Sequence, residues 1–112
     1  MKAFSVSTAP KSHCYSEPVR INYSFPKLIS LIEEHYGKRP EQGGDLYLFL
    51  NTNRNYLKII YWHKGGYCMF AKYLPQGTFE QIDRKTFSLP ELQRLVDVVS
   101  VKRLPEPKKE AA

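Results

Sequence analysis

Residues 57–74, LKIIYWHKGGYCMFAKYL, leave few options for how this chain can fold. Two apolar-aromatic runs, Leu57 to Trp62 and Tyr67 to Leu74, are separated by His63-Lys64-Gly65-Gly66. Runs rich in β-branched and aromatic residues suit a pleated, half-buried surface. Gly65-Gly66 offers the positive-φ residues that a tight turn requires. The stretch therefore predicts the central β-hairpin of a small sheet. Lys58 and Lys72 interrupt the apolar pattern and are expected to flank the same face of that hairpin.

The rest of the chain supplies elements to pack against it. Met1 to Ser12 is small and polar, and reads as a flexible arm or a short strand. Val19-Arg20-Ile21-Asn22-Tyr23 alternates with period two and predicts a short strand. Ser24 can cap a helix whose first turn tolerates Pro26. Leu28, Leu31, Ile32 and His35, with Phe25, Ile29 and Tyr36 beside them, give that helix one apolar face. Gly37 suits its end. Lys38 to Asp45 is a loop broken by Pro40 and Gly43-Gly44. Leu46-Tyr47-Leu48-Phe49-Leu50 is a continuous apolar run, as in a strand covered on both faces. Asn51-Thr52-Asn53-Arg54-Asn55 is a turn, because asparagine tolerates left-handed backbone and bonds its neighbours. Thr78 to Ile82 predicts an edge strand. Ser88-Leu89-Pro90-Glu91 has capping-box form and opens a second helix. Its apolar stripe is Leu89, Leu92, Leu95, Val96 and Val99. The proline-containing end, LPEPKKEAA, lacks apolar periodicity and is expected to be disordered.

A chain of 112 residues, 42% hydrophobic, can bury one core. We divide it into an arm at 1–12, a single domain at 13–103 and a tail at 104–112. The formal net charge of +6 is compatible with a nucleic acid or another anionic partner. Two cysteines, Cys14 and Cys68, are too few for a disulfide framework and lack metal spacing. A buried Cys68 in an apolar strand fits a reducing cytoplasm. No apolar run is long enough for a membrane span, and no secretory signal is visible.

Catalytic constellations do not assemble from the sequence. His13, His35 and His63 share no metal spacing with each other or with the cysteines. A thiolate at Cys68, with His63 as base, would be costly among apolar neighbours. Asp45, Asp83 and Asp97 fall in unrelated elements, whereas metal-dependent nucleases need converging carboxylates. No metal, cofactor or small-molecule substrate is expected, and the chain is not expected to be an enzyme.

The binding signal is stronger. Arg54, Lys58, Lys64 and Lys72 alternate along the hairpin with Tyr56, Tyr61, Trp62, Tyr67, Phe70 and Tyr73. Cations against phosphate and aromatic faces for stacking are how sheets hold single strands, and cations alone suffice for a duplex backbone. Against this stands a purely structural reading, in which the aromatics form core and the lysines guard an edge. Arg54, Lys58, Trp62, Lys64, Tyr67 and Lys72 are the candidate nucleic-acid-binding residues. Lys102, Arg103, Lys108 and Lys109 form a second basic group, although Lys102 and Arg103 also suit a helix C-terminus.

The run DLYLFLNTNRNYLKIIYWHKGGYCMFAKYLPQGTF resembles the small accessory protein, TnpB or Orf2, of bacterial insertion sequences of the IS66 group. That family's pattern is an apolar strand, an arginine-rich turn, a strand like L-K-I-L-Y-W, a glycine turn, and a strand like G-F-C-L-W-Y-K-R-L. Leu57 to Trp62 and Gly66 to Leu74 match it. Phe79 and the Ser88-Leu89-Pro90-Glu91-Leu92 helix start also fit, and Tyr15 to Val19 resembles the family's N-terminal strand. The likeness spans roughly residues 13 to 103. Two segments depart: Arg20-Ile21-Asn22-Tyr23-Ser24 stands where the family has D-M-R-K-G, and the arginine-rich turn is reduced to Asn51-Thr52-Asn53-Arg54-Asn55. The resemblance implies a factor encoded beside a separate transposase and needed for efficient transposition. It is not to the longer RNA-guided nuclease that shares the name TnpB.

The expected fold is α+β, a small, mostly antiparallel β-sheet with two helices packed on one face. The expected function is a cytoplasmic accessory protein, nucleoid-associated if it binds DNA, that binds DNA, the transposase or both; the transposase and another element-encoded protein are partners that the resemblance implies. The alternative is a protein–protein adaptor without DNA contact, its exposed aromatics forming an anchoring patch.

Overall fold

The computed structural model describes residues 11–80, 85–97 and 99–100. The strands are β1 (Ser12–Cys14), β2 (Leu46–Leu50), β3 (Tyr56–His63), β4 (Gly66–Tyr73), β5 (Thr78–Phe79), β6 (Thr86–Phe87) and β7 (Val99–Ser100), and the helices are α1 (Phe25–Tyr36) and α2 (Leu89–Asp97). Five strands form a sheet in the order β4-β3-β2-β1-β6, and β5 pairs with β7. Every pairing is antiparallel except β1 with β2, which α1 connects as a parallel crossover. The fold is thus α+β with a mostly antiparallel sheet.

All five residues of β2 are buried, as a continuous apolar run requires. Leu46, Leu48 and Leu50 join Leu57, Ile59, Leu74, Phe79 and α2 residues Leu92 and Val96 in one core. Tyr47, Phe49 and Ile60 join Val19 and α1 residues Leu28 and Ile32 in another. Side chains alternate across a strand, so the two cores lie on opposite faces. The helices therefore cover one face each, and their expected placement on a single face is incorrect. Both faces of the apolar central strand need cover, and one helix layer cannot supply it.

Local signals act as the residue types dictate. Gly37 ends α1 at φ 74°, its N–H donating to the Glu33 carbonyl at 3.0 Å. Ser24 occupies the N-cap position, but its side chain makes no capping bond. At α2 the capping box forms in both directions: Ser88 N–H donates to Glu91 Oε1 at 2.8 Å, and Glu91 N–H to Ser88 Oγ at 3.4 Å. The helix ends at Asp97, so Val99 lies in β7 rather than on the helical stripe.

The N-terminal strand is displaced from its expected position. β1 covers Ser12–Cys14, while Arg20 to Tyr23 forms a turn closed by Tyr23 N–H to the Arg20 carbonyl at 3.1 Å. Alternation at Val19, Ile21 and Tyr23 does not mark a sheet face, for Val19 is buried and Ile21 is 52% exposed. The chain between still follows β2, with Tyr15 and Val19 donating to Leu48 and Leu50 carbonyls, each at 2.9 Å. Gln81, Ile82 and Asp83, residues 1–10, and the basic residues from Lys102 onward lie outside the described residues.

Candidate nucleic-acid interface

The hairpin's register decides where its candidate residues point. Lys58 pairs with Ala71 and Lys72 with Leu57, which puts the two lysines on opposite faces of β3–β4. Their expected common face is therefore incorrect. The turn residues are Lys64 (φ 45°) and Gly65 (φ 82°), and Gly66 begins β4 opposite His63. Any two-residue turn pairs an even position with an odd one, so two even-numbered lysines cannot share a face.

Each strand lysine is held by its own side of the protein. Lys58 is 8% exposed, and its Nζ donates to the carbonyls of Ile21 at 2.7 Å and Tyr23 at 2.6 Å. Burial holds its pKa below the ordinary lysine value. The same ammonium lies 5.5 Å from the centroid of the Tyr56 ring. Lys72 Nζ donates to the Val96 carbonyl at 2.8 Å, near the C-terminal end of α2 where the helix dipole favours a cation.

The other candidates collect at the two ends of the hairpin. At the turn, Trp62 and Tyr67 form a cross-strand pair, edge to face with centroids 4.9 Å apart, beside exposed Lys64. Tyr67 hydroxyl donates to Glu41, and Arg39 approaches Glu41 at 3.7 Å. The hydroxyl holds Glu41 below the usual carboxylate range, and its bond to Arg39 raises the guanidinium. Partial burial, then the Glu41 contact, raises the Tyr67 phenol. Arg39 is thus a member of this end that the sequence did not point to. It arrives from a loop folded back by Arg39 N–H to Gln42 Oε1 at 2.7 Å.

At the opposite end, Arg54 adopts φ 53°, and its Nε donates to the Phe79 carbonyl at 3.3 Å. Asn51 Oδ1 accepts the N–H groups of Asn55 and Tyr56, each at 3.0 Å, and fixes this turn. Beside it opens a groove of about 490 Å³ lined by the 18–23 segment and by Asn51, Thr52 and Asn53. The eight residues of β3 separate the two ends by about 25 Å.

A polar cluster that the sequence did not indicate joins β1 to β2. His13 Nε2 lies 2.6 Å from Asp45 Oδ2, and Lys38 Nζ lies 3.7 Å from the same oxygen. The His13 ring stacks on Tyr47 at 5.0 Å and meets Tyr36 at 5.1 Å. Burial raises the Tyr36 phenol far above its usual range and, with the Asp45 charge adding, pushes Tyr47 up to about 12. Burial also pushes the Cys14 thiol up to about 11, so this thiol is held protonated rather than activated. Among the described residues no group of three or more His, Cys, Asp or Glu side chains is placed to hold a metal, and no helix is long and apolar enough to cross a membrane.

A family model described as IS66 Orf2 like protein matches residues 11–105. The chain belongs to the IS66 Orf2-like family. That membership gives it an accessory role in insertion-sequence transposition. No curated protein and no solved structure matches the chain. The matched span of this IS66 Orf2-like protein contains both ends of the hairpin, the groove beside Arg54 and the His13–Asp45 pair.

Proposed function

We propose that this IS66 Orf2-like protein is a non-enzymatic accessory factor of transposition that binds DNA and works beside the transposase and another element-encoded protein. One observation carries the reading: aromatic rings on the α1 side of the sheet stand next to cations. Lys27 Nζ lies 5.5 Å from the Tyr23 centroid, Lys58 lies as close to Tyr56, and Tyr56 meets Tyr73 at 5.8 Å. Arg39 contacts Tyr67 of the Trp62–Tyr67 pair, and Lys64 stands in the turn two residues beyond Trp62. In this arrangement Lys64 and Arg54 meet phosphates, and Trp62 and Tyr67 supply stacking surface. Lys58 and Lys72 serve the fold first, since their ammonium groups are engaged by backbone carbonyls. The protein then acts in the bacterial cytoplasm, at the nucleoid.

The adaptor reading keeps one specific support. β4 is an edge strand of eight residues, and Tyr73 on it is 58% exposed. Such an edge can receive a strand from a partner. Fluorescence anisotropy separates the two. The protein is titrated against a labelled element-end duplex, a scrambled duplex and a single strand over a salt series. Affinity that falls steeply with salt supports phosphate contact. No binding to any of the three at low salt refutes it and moves the function to the β4 edge and the transposase.

A further inference from the structure

We propose that the groove between the 18–23 segment and the Asn51–Asn53 turn is a second nucleic-acid contact that takes backbone phosphates. The proposal rests on the DNA-binding reading and assigns that reading a second site. Arg20, Asn22, Thr52 and Asn53 line the groove and are all exposed. Their side chains make no hydrogen bond or ion pair among the described residues. Each carries a hydrogen-bond donor of the kind that phosphate oxygens accept. No acidic residue lines the groove, although exposed Glu17 precedes it in the chain.

Both walls are fixed in advance. Lys58 holds the loop wall through the carbonyls of Ile21 and Tyr23, and the Asn51 side chain holds the turn wall. Walls that are already ordered lose little freedom on binding. The donors are spread over two walls of an open groove instead of converging on one point. That suits a run of phosphates better than the single carboxylate of an acidic peptide.

The groove's place in the fold supports the same ligand. Val19 belongs to the α1-side core, and Lys58 reaches the loop from that side. Trp62 and Tyr67 lie on the same side by strand alternation from Ile60. The groove and the hairpin turn are thus two cation-bearing ends of one face, about 25 Å apart along β3. A duplex laid along the hairpin would meet both within about seven steps of 3.4 Å.

The test uses the full chain carrying Arg20→Glu, Asn53→Asp or both, with Lys64→Glu as the comparison at the other end. Anisotropy with a labelled element-end duplex is measured over a salt series, and circular dichroism melting confirms that each variant folds. The expected result for Arg20→Glu is a salt slope reduced by about one and an affinity about three- to tenfold lower. Asn53→Asp should weaken binding in the same direction. If both groove variants match the wild type while Lys64→Glu weakens binding, the groove proposal is overturned and the DNA-binding reading stands. If the wild type binds neither this duplex nor the scrambled duplex nor the single strand, both fall.

Discussion

Replacing Lys58 with Met should destabilise the protein even though it removes a buried charge. The Nζ makes two short bonds, at 2.7 and 2.6 Å, to carbonyls of the 20–23 turn. Charge-assisted bonds contribute about 1.5–3 kcal/mol each, a gross 3–6 kcal/mol for the pair. Two effects oppose this. The buried ammonium has lost hydration, as its lowered pKa indicates, and the turn beside exposed Ile21 lets water reach a freed carbonyl. We expect a net loss of about 1–3 kcal/mol for Lys58→Met. Lys58→Ala also removes three methylenes at ~0.8 kcal/mol each and should lose about 3–5 kcal/mol. Urea unfolding at neutral pH measures both, with the m-value checking that the transition stays two-state. Hydrogen exchange at Val19, whose N–H donates to Leu50 in the adjoining segment, should quicken in Lys58→Met. A Lys58→Met protein as stable as the wild type, with unchanged exchange at Val19, would refute the claim that this lysine anchors the loop.

Three further outcomes are expected. Tyr47→Phe should raise stability by about 1 kcal/mol in urea unfolding, because the buried Tyr47 hydroxyl finds no partner among the described residues. Stability should fall as pH rises from about 9 to 12. Burial moves Cys14 from 9.0 to about 11 and Tyr47 from 10.0 to about 12, so the unfolded chain releases these protons first. Lys58 acts with the opposite sign: its lowered pKa makes stability rise as pH approaches its unfolded value of 10.5. Cys14→Ala should flatten the fall below about pH 11 in midpoints measured across pH. Lys64→Asn should add about 0.5–1 kcal/mol in thermal unfolding, since Lys64 stands at φ 45° in a turn that favours Asn-Gly. The same change should weaken DNA binding.

The elements were legible where local chemistry decides them. The hairpin, the all-buried β2, the Gly37 terminus and the Ser88–Glu91 capping box all follow from residue type and spacing. Two further features are legible in the sequence. The unbroken apolar run Leu46 to Leu50 already implied cover on both faces, hence one helix on each. The even numbering of Lys58 and Lys72 already placed them on opposite faces across a two-residue turn. The rest depends on distant segments meeting. Arg39 reaches Tyr67 only because the 38–44 loop folds back, and His13 meets Asp45 only because β1 pairs parallel to β2. The meeting of the 20–23 turn with the Asn51–Asn53 turn is of the same kind. No local pattern announces such contacts.

We propose that this IS66 Orf2-like protein meets DNA through the ends of its hairpin, while its mid-strand lysines serve the fold. The most direct measurement compares the wild type, Lys64→Glu and Lys72→Met on one labelled duplex across a salt series. Lys64→Glu is expected to lower the salt slope by about one, and Lys72→Met to leave it unchanged. A slope reduced by Lys72→Met and untouched by Lys64→Glu would contradict the proposal.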